Sequence, residues 1–286
     1  MKLIRFGTPG NEKPGIYIDG KRYDASGLVN DYNETFFTSG GLKKLSSEIV
    51  KRPLPEVPEK ERWASAVARP SKIICIGLNY ADHAAESNMQ LPAEPVIFFK
   101  STSSLAGPYD DLVIPKNSSK TDWEVELSVV IGSKTTYADE EKALESIAGF
   151  CLHNDYSERA FQLERGGQWV KGKSCDTFAP LGPWLATADE IKDVGNLRLW
   201  LSVNGKIMQD GNTRNMVFKI PFLISYVSQF MTLLPGDIIS TGTPAGVGLA
   251  QKPSPVYIKQ GDIMELGIDG LGCSKQVARE YVSRKE

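Results

Sequence analysis

Three acidic residues are spaced two apart in the segment TDWEVELSVVIG, residues 121–132. Asp122, Glu124 and Glu126 alternate there with apolar residues, which predicts a β-strand with the carboxylates on one face. Residues that follow each other on one face of a strand lie about 6.6–6.8 Å apart. Unpaired carboxylates inside a sheet cost free energy, which protonation, basic partners or a cation can offset. The strand therefore indicates either a site for a hard divalent cation or an acidic face turned to solvent.

A histidine and a glutamate share one face of a short predicted helix. The helix follows a buried strand predicted over Ile73–Ile76, and Asn79 is a candidate for its N-cap. His83 and Glu86 are three residues apart, so their side chains lie together. A carboxylate beside an imidazole orients it and raises its basicity, as a general base requires, and a surface ion pair is the alternative. The turn-rich segment SNMQLPAEP, residues 87–95, is of the kind that can close over a site.

A third group of polar residues begins at Asp155. This aspartate follows a short apolar strand predicted over residues 149–152 and precedes a predicted helix, where an N-cap is its alternative role. Tyr156, Arg159 and Gln162 then recur at three-residue spacing, which places them on one face of that helix.

The segment GQWVKGKS, residues 167–174, satisfies the phosphate-loop pattern GxxxxGK[ST]. The motif works only between a buried strand and the N-terminus of a helix. Here a polar helix precedes it, and Pro180 and Pro183 preclude a helix after it, so we do not expect nucleotide binding. Lys173 remains a candidate for a reactive lysine among apolar residues, with a surface lysine as the alternative.

Several elements must position these groups. An acidic helix over residues 139–150 is expected to present a solvated face, and Asn204-Gly205 predicts a hairpin turn. A helix that starts at Pro221 carries an apolar stripe that we assign to the core. Two similar segments, PGDIISTGTP and QGDIMELGID, each predict a tight turn that leads into a strand. The glycine-rich segment TGTPAGVG between them could approach a small ligand closely, with Thr243 supplying a hydroxyl.

Composition and charge limit the function classes. The chain has 286 residues and a net charge of −2, which provides no basic field for nucleic acid or for an anionic membrane surface. Its N-terminus, MKLIRFGTPG, reaches Gly and Pro too early for a signal peptide. Four cysteines lie far apart without a CxxC pair, which predicts a cytoplasmic protein with reduced thiols. Residues 1–68 read as a small N-terminal domain and linker, and residues 69–286 as the main domain.

Seven segments, taken in order, resemble the fumarylacetoacetate hydrolase family: GLNYADHAAES, FFKSTSS, DWEVELSVVIG, HNDYSER, GKSCDTFAPLGPW, VNG and GDIISTGTPAGVG. The resemblance runs from about Ile73 to Gly272. It implies an α+β fold, a mixed β-roll with helices outside, in which a catalytic domain follows a small N-terminal α/β domain. It also implies a homodimer.

The resemblance further implies roles for individual residues. The metal ligands, for Mg²⁺ or Mn²⁺, are Glu124, Glu126 and Asp155. The catalytic residues are His83, Glu86 and Lys173. The substrate contacts are Arg159, Gln162 and Thr243, and Lys100 matches the family less closely. The fourth acidic ligand of the founding eukaryotic hydrolases has no clear equivalent here, so the chain resembles the bacterial type with three carboxylates.

The implied reaction is hydrolytic cleavage of a C–C bond in a 2,4-diketo acid, which yields pyruvate and a second carboxylic acid. Similar members act on deoxy-sugar acids such as 2,4-didehydro-3-deoxy-L-rhamnonate or -fuconate. The same site could instead serve an oxaloacetate decarboxylase, a 2-hydroxyhepta-2,4-diene-1,7-dioate isomerase or a ureidoglycolate lyase. An alternative of another class is a catalytically silent binding protein.

Overall fold

A computed structural model describes residues 1–86 and 90–283. The strands are β1 (Lys2–Phe6), β2 (Lys13–Ile18), β3 (Lys21–Asp24), β4 (Trp63–Ala64), β5 (Ile73–Gly77), β6 (Val96–Lys100), β7 (Leu105–Ala106), β8 (Leu112–Ile114), β9 (Thr121–Asp122), β10 (Val125–Ile131), β11 (Ile147–Asn154), β12 (Ser157–Glu158), β13 (Ala179–Pro180), β14 (Leu185–Thr187), β15 (Arg198–Val203), β16 (Lys206–Asn212), β17 (Ile238–Ser240), β18 (Ile263–Ile268) and β19 (Gly272–Glu280). The helices are α1 (Glu34–Thr38), α2 (Gly41–Glu48), α3 (Ala81–Glu86), α4 (Glu140–Glu145), α5 (Arg159–Leu163), α6 (Val170–Lys173) and α7 (Ile220–Ser228).

A ten-stranded mixed sheet forms the centre of the molecule. Its order is β3-β2-β1-β14-β11-β10-β17-β5-β6, and β4 pairs with β1. Strand β10 runs antiparallel to β11 and β17, whereas β17 runs parallel to β5. A five-stranded sheet, in the order β16-β15-β18-β19-β8, packs against it. Mixed sheets with short helices outside confirm the predicted α+β class.

Strand β10 lies between two hydrophobic clusters, and all seven of its residues are buried. Val125, Leu127, Val129 and Ile131 join the cluster that includes residues of β15 and β18. Val130 faces the opposite way and joins the cluster that includes the aromatic residues of α1. The predicted alternation is therefore confirmed over β10. The single strand predicted over residues 121–132 is wrong, because it is interrupted at Trp123 and Glu124 and Thr121–Asp122 forms β9, which pairs with β12 in a separate sheet. Burial on both faces excludes the solvent-facing alternative.

Other local predictions, for the acidic helix, Tyr156 and Asn79, are wrong. The helix predicted over residues 139–150 ends at Glu145, because the chain from Ile147 onwards pairs with β10 instead. Tyr156 precedes α5, which begins at Arg159, so Tyr156 does not share a helix face with Arg159. Asn79 does not cap α3, because its side-chain amide bonds backbone groups of Phe218 and Thr241.

Helix α7 is only partly core. Its residues Leu223 and Val227 are buried, whereas Phe222 and the following Phe230 are exposed. The prediction that the whole apolar stripe belongs to the core is therefore wrong for these two phenylalanines. The predicted Asn204-Gly205 hairpin is confirmed, with both residues in the left-handed region at φ of 51° and 78°.

The first 68 residues are joined to the rest of the chain through the central sheet. Strand β1 pairs with β14 and with β4, and β2 and β3 extend the sheet outward. The predicted linker, which includes Pro58–Glu61, is held against the N-terminal strands, since Arg22 on β3 donates to the carbonyls of Pro58, Glu59 and Glu61. The division at residue 68 stays a prediction.

The predicted turn-rich loop over residues 87–95 lies partly outside the described residues, because 87–89 are not described. Among the helices that are described, none has the length and apolar character needed to cross a membrane.

Candidate metal and catalytic centre

Strand pairing brings the three predicted ligand residues together. Glu124 immediately precedes β10, and Asp155 immediately follows β11, its antiparallel neighbour. The Asp155 N–H donates to the Glu124 carbonyl at 2.9 Å. One carboxylate oxygen each of Glu124, Glu126 and Asp155 lie within 4.8 Å of one another, and all three residues are buried. The predicted spacing on one face therefore produces a compact set of oxygen ligands.

Two of these carboxylates have basic partners. Lys173 Nζ lies 2.6 Å from Glu124 Oε2 and 2.8 Å from Asp155 Oδ2. Lys100 Nζ lies 2.5 Å from the other Asp155 oxygen, and Arg159 lies 2.7 Å from Glu124 Oε1. Burial alone would raise the pKa of Asp155, but Lys100 and Lys173 hold that pKa below its usual range. Lys173 and Arg159 likewise outweigh burial and lower the pKa of Glu124.

Glu126 differs from the other two because it forms no ion pair within the described part of the chain. Its Oε2 accepts hydrogen bonds from Ser240 Oγ at 2.5 Å and from the Gly242 N–H at 3.0 Å. Burial and the neighbouring carboxylates of Asp155 and Glu124 raise the pKa of Glu126 well above its usual range. A cation beside Glu126 would offset this cost.

The centre also has one more acidic group than basic groups. The acidic groups are Asp122, Glu124, Glu126 and Asp155, and the basic groups are Lys100, Arg159 and Lys173. Carboxylate oxygens are the ligands that Mg²⁺ and Mn²⁺ prefer. The excess negative charge and the oxygen ligand set both fit a hard divalent cation.

His83 and Glu86 lie on α3, as predicted. His83 Nδ1 is 3.8 Å from Glu86 Oε2, longer than a hydrogen bond, and has no hydrogen-bond partner among the described residues. Glu86 Oε2 also accepts the Gly246 N–H at 2.9 Å. Although burial raises the pKa of Glu86, His83 and the Gly246 N–H together lower it. Catalytic pairs often tighten only when substrate binds, so this separation is compatible with a working pair.

A cavity of about 340 Å³ opens over the centre. Eight of the nine predicted site residues line it: His83, Glu86, Glu124, Glu126, Arg159, Gln162, Lys173 and Thr243. The ninth, Asp155, is fully buried and contacts Lys173. Much of the remaining wall is apolar and includes Phe98, Leu163, Trp169, Val247 and Leu249. The structure brings the predicted residues together, while their individual roles stay predictions.

The three predicted substrate contacts have partners within the protein. Arg159 donates to Asp122 and to the Gln162 side-chain oxygen, which leaves the Gln162 amide N–H groups available. The Thr243 hydroxyl donates to the Val125 carbonyl and accepts from Gln209. Thr243 can therefore offer a substrate only its remaining acceptor capacity.

Lys173 lies at the last residue of α6. Its ammonium contacts Glu124 and Asp155. In a true phosphate loop, by contrast, the lysine lies at the N-terminus of a helix and contacts the phosphates of a nucleotide. The phosphate-loop pattern in this segment thus coincides with a lysine of the carboxylate centre.

Sequence reasoning missed two connections. Asp122 accepts the N–H groups of Gly248 and Leu249 as well as Arg159, so it fastens the glycine-rich loop to the centre. His153 is buried opposite Glu126 and bonds to Ser240. The period-two pattern that selected Glu124 and Glu126 also includes Asp122, and the same pattern places His153 on the face of Asp155. The period-two pattern could therefore have identified Asp122 and His153 as neighbours of the carboxylate centre.

Comparisons with known proteins agree with this arrangement. Residues 72–278 match the family model described as fumarylacetoacetate (FAA) hydrolase C-terminal. A Burkholderia multivorans protein named "Putative hydrolase" is 54% identical over 280 residues, which cover 98% of this chain and 99% of that protein.

Two solved structures are also similar. Fumarylacetoacetate hydrolase from psychrophilic Exiguobacterium antarcticum is 33% identical with a TM-score of 0.87, over 98% of this chain and 100% of that one. Maleylpyruvate hydrolase from Sphingobium sp. SYK-6, solved with manganese(II) and pyruvate, is 29% identical with a TM-score of 0.81, over 98% and 99%. The chain belongs to the fumarylacetoacetate hydrolase family.

Proposed function

We propose that this protein is a divalent-metal-dependent hydrolase that cleaves the C3–C4 bond of a 2,4-diketo acid. The products would be pyruvate and a second carboxylic acid. One observation carries the proposal: a histidine–carboxylate pair and a buried set of three carboxylates belong to one cavity. The first can activate water, and the second can hold a cation. The similar maleylpyruvate hydrolase was solved with manganese(II) and pyruvate, which supports a divalent cation and pyruvate as participants in the proposed reaction.

Glu124, Glu126 and Asp155 would hold the ion, either Mg²⁺ or Mn²⁺. When bound, such an ion supplies Lewis-acid polarisation of the substrate's 1-carboxylate and 2-keto oxygens. Lys173 and Arg159 lie against two of the same carboxylates and keep positive charge beside the place where the substrate would bind. Positive charge fixed in a buried site stabilises negative charge that develops during a reaction.

His83 would act as the general base. Glu86 is held by the Gly246 N–H and would orient the imidazole while His83 takes a proton from water. The water oxygen adds to C4, the C3–C4 bond breaks, and its electron pair remains on C3 as the enolate of pyruvate. Return of a proton to C3 gives pyruvate, and C4 leaves as the new carboxylic acid. Atoms and charge balance without an oxidant or reductant.

The substrates proposed are acylpyruvates and 2,4-didehydro-3-deoxy sugar acids. A cavity of about 340 Å³ is at the lower end of the size of small-molecule sites, which supports a compact keto acid. We further propose a homodimer in the cytoplasm that requires neither nucleic acid nor a membrane, as the family resemblance and the net charge of −2 suggest.

The test is pyruvate release from acylpyruvates in the presence of Mn²⁺ or Mg²⁺, followed with a coupled lactate dehydrogenase assay. His83→Ala should lower kcat by about 10²–10⁴ because general-base catalysis is lost. Asp82→Asn is the matched control, since Asp82 neighbours His83 on α3, lies outside the cavity wall and accepts from the His83 N–H and the Asn215 amide, and an asparagine oxygen can still accept from the His83 N–H. The control should retain wild-type turnover.

Two outcomes would contradict the proposal. Full pyruvate release by His83→Ala would overturn the mechanism in which His83 activates the attacking water. Absence of turnover on every diketo acid tested, together with absence of bound metal, would favour a silent binding protein.

A further inference from the structure

His153 is a buried histidine that takes no part in the proposed reaction. It lies on β11 directly opposite Glu126 on β10, and Ser240 lies on β17 on the other side of β10. His153 Nδ1 is 2.7 Å from Ser240 Oγ, and Ser240 Oγ is 2.5 Å from Glu126 Oε2. Three adjacent strands thus place a histidine, a serine and a proposed metal ligand in one hydrogen-bonded chain.

Donor and acceptor counting gives this chain a direction. When Glu126 holds a cation it is ionised and only accepts hydrogen bonds, so in that state the single Ser240 hydroxyl proton goes to Glu126. His153 Nδ1 must then donate to Ser240 Oγ, as must Ser128 Oγ at 3.2 Å. The proton of a neutral His153 therefore resides on Nδ1. Its Nε2 carries a lone pair and has no hydrogen-bond partner among the described residues.

The hydrogen bonds from Ser240 and Gly242 leave one oxygen of Glu126 free to bind a cation. Oε2 of Glu126 accepts from both Ser240 and the Gly242 N–H, which leaves Oε1 as the oxygen without a bond from either. Glu124 and Asp155 are oriented by lysine and arginine side chains, whereas no lysine or arginine in residues 1–86 and 90–283 pairs with Glu126. Hydrogen bonds from Ser240 and Gly242 are thus the contacts that orient Glu126.

We propose that His153 and Ser240 are positioning residues that hold Glu126 in the orientation required for metal binding. The inference rests on the proposed metal centre and extends it to two residues outside the ligand set. Groups that bond to a metal ligand typically contribute about 10–100-fold to metal affinity. Loss of the Nδ1 donor at residue 153, or of the hydroxyl at residue 240, should weaken metal binding by such a factor.

The experiment measures the Kd for Mn²⁺ of the metal-free full-length protein by titration calorimetry. Two substitutions of His153 separate hydrogen bonding from packing. The amide nitrogen of an asparagine can occupy the position of Nδ1, whereas the amide of a glutamine reaches the position of Nε2. His153→Asn should therefore bind Mn²⁺ close to wild type, and His153→Gln should bind about 10–100-fold more weakly.

Ser240→Ala removes the middle of the chain and should weaken binding by a similar factor. Ser228→Ala is its matched control, because this buried hydroxyl likewise donates one hydrogen bond, to the Ser225 carbonyl, and accepts from the Ala138 N–H, but lies outside the cavity wall. The control should leave the Kd unchanged. Thermal unfolding without metal verifies that each variant is folded, and Ser240→Ala decides the question if His153→Gln does not fold.

The outcomes separate this inference from the proposed function. Mn²⁺ binding by the wild type with equal affinities in all variants would overturn the positioning role alone. Equal weakening by His153→Asn and His153→Gln would assign His153 to packing and would also overturn it. A wild type that binds no Mn²⁺ would overturn both the positioning role and the metal centre.

Discussion

Replacement of Lys173 by methionine tests the charge balance of the buried centre. Methionine keeps most of the length and the packing against Phe98, whose ring centroid lies 5.0 Å from the Lys173 ammonium. The substitution removes the cation 2.6 Å from Glu124 and 2.8 Å from Asp155. Glu124 and Asp155 are both buried, so each then loses a partner that bulk water does not replace.

The loss in free energy of unfolding depends on the basic partners that Glu124 and Asp155 keep. Removal of one partner from a buried ion pair costs about 3–5 kcal/mol. Glu124 keeps Arg159 and Asp155 keeps Lys100, so the cost should lie near the lower value, about 3 kcal/mol. For a chain of 286 residues that corresponds to a fall in Tm of roughly 5 °C. A divalent cation should restore part of the stability, because it supplies positive charge to the same carboxylates.

The assay is thermal unfolding of metal-free wild type and Lys173→Met, each repeated with Mn²⁺. Lys171→Met is the matched control, since Lys171 lies on the same helix but is exposed, and among the described residues its ammonium bonds only the Arg165 carbonyl. We expect Mn²⁺ to raise the Tm of Lys173→Met by more than it raises that of the wild type. A loss of stability below about 1 kcal/mol, the usual worth of an exposed pair, would refute the reasoning. So would a larger Mn²⁺ effect on the wild type.

Two further predictions concern a thiol and a turn. Burial raises the pKa of the Cys175 thiol to about 11, so at pH 8 only about 10⁻³ of it is thiolate. Alkylation followed by mass spectrometry should therefore label the exposed Cys273 first, and the Cys175 rate should rise about tenfold per pH unit up to pH 11; a constant rate between pH 8 and 10 would contradict this. Gly205→Ala should destabilise the protein by about 1–2 kcal/mol, because φ is +78° and only backbone strain opposes the added methyl group, which has nothing within 4 Å. Urea unfolding measures that cost, and a neutral result would disprove the strain argument.

Sequence patterns were sufficient to predict elements that depend on neighbouring residues alone. The period-two alternation from Glu124 to Ile131 identified the strand, its apolar face and two of the three proposed ligand residues. The Asn204-Gly205 turn was predictable because both positions need positive φ, which these residue types tolerate. The resemblance to a known family then identified Asp155 and Lys173 as members of the same centre.

Features that depend on distant pairing were not predictable in this way. The segment from Ile147 could continue a helix by local preference, but it forms the eight-residue strand β11, seven residues of which pair with β10. His153 and Ser240 are 87 residues apart, and only the order of strands in the sheet brings them together. Phe222 and Phe230 show the same limit, since an apolar helix does not reveal which of its sides the rest of the fold will cover.

The central claim is that Glu124, Glu126 and Asp155 bind one divalent cation. Anomalous diffraction from crystals grown with Mn²⁺ tests it most directly, with Glu126→Ala as the comparison and pyruvate release measured on the same proteins. We predict one peak per chain about 2.0–2.6 Å from an oxygen of each of the three residues. Glu126→Ala should lose both that peak and metal-dependent turnover. A peak elsewhere, or unchanged metal binding and turnover in Glu126→Ala, would contradict the account.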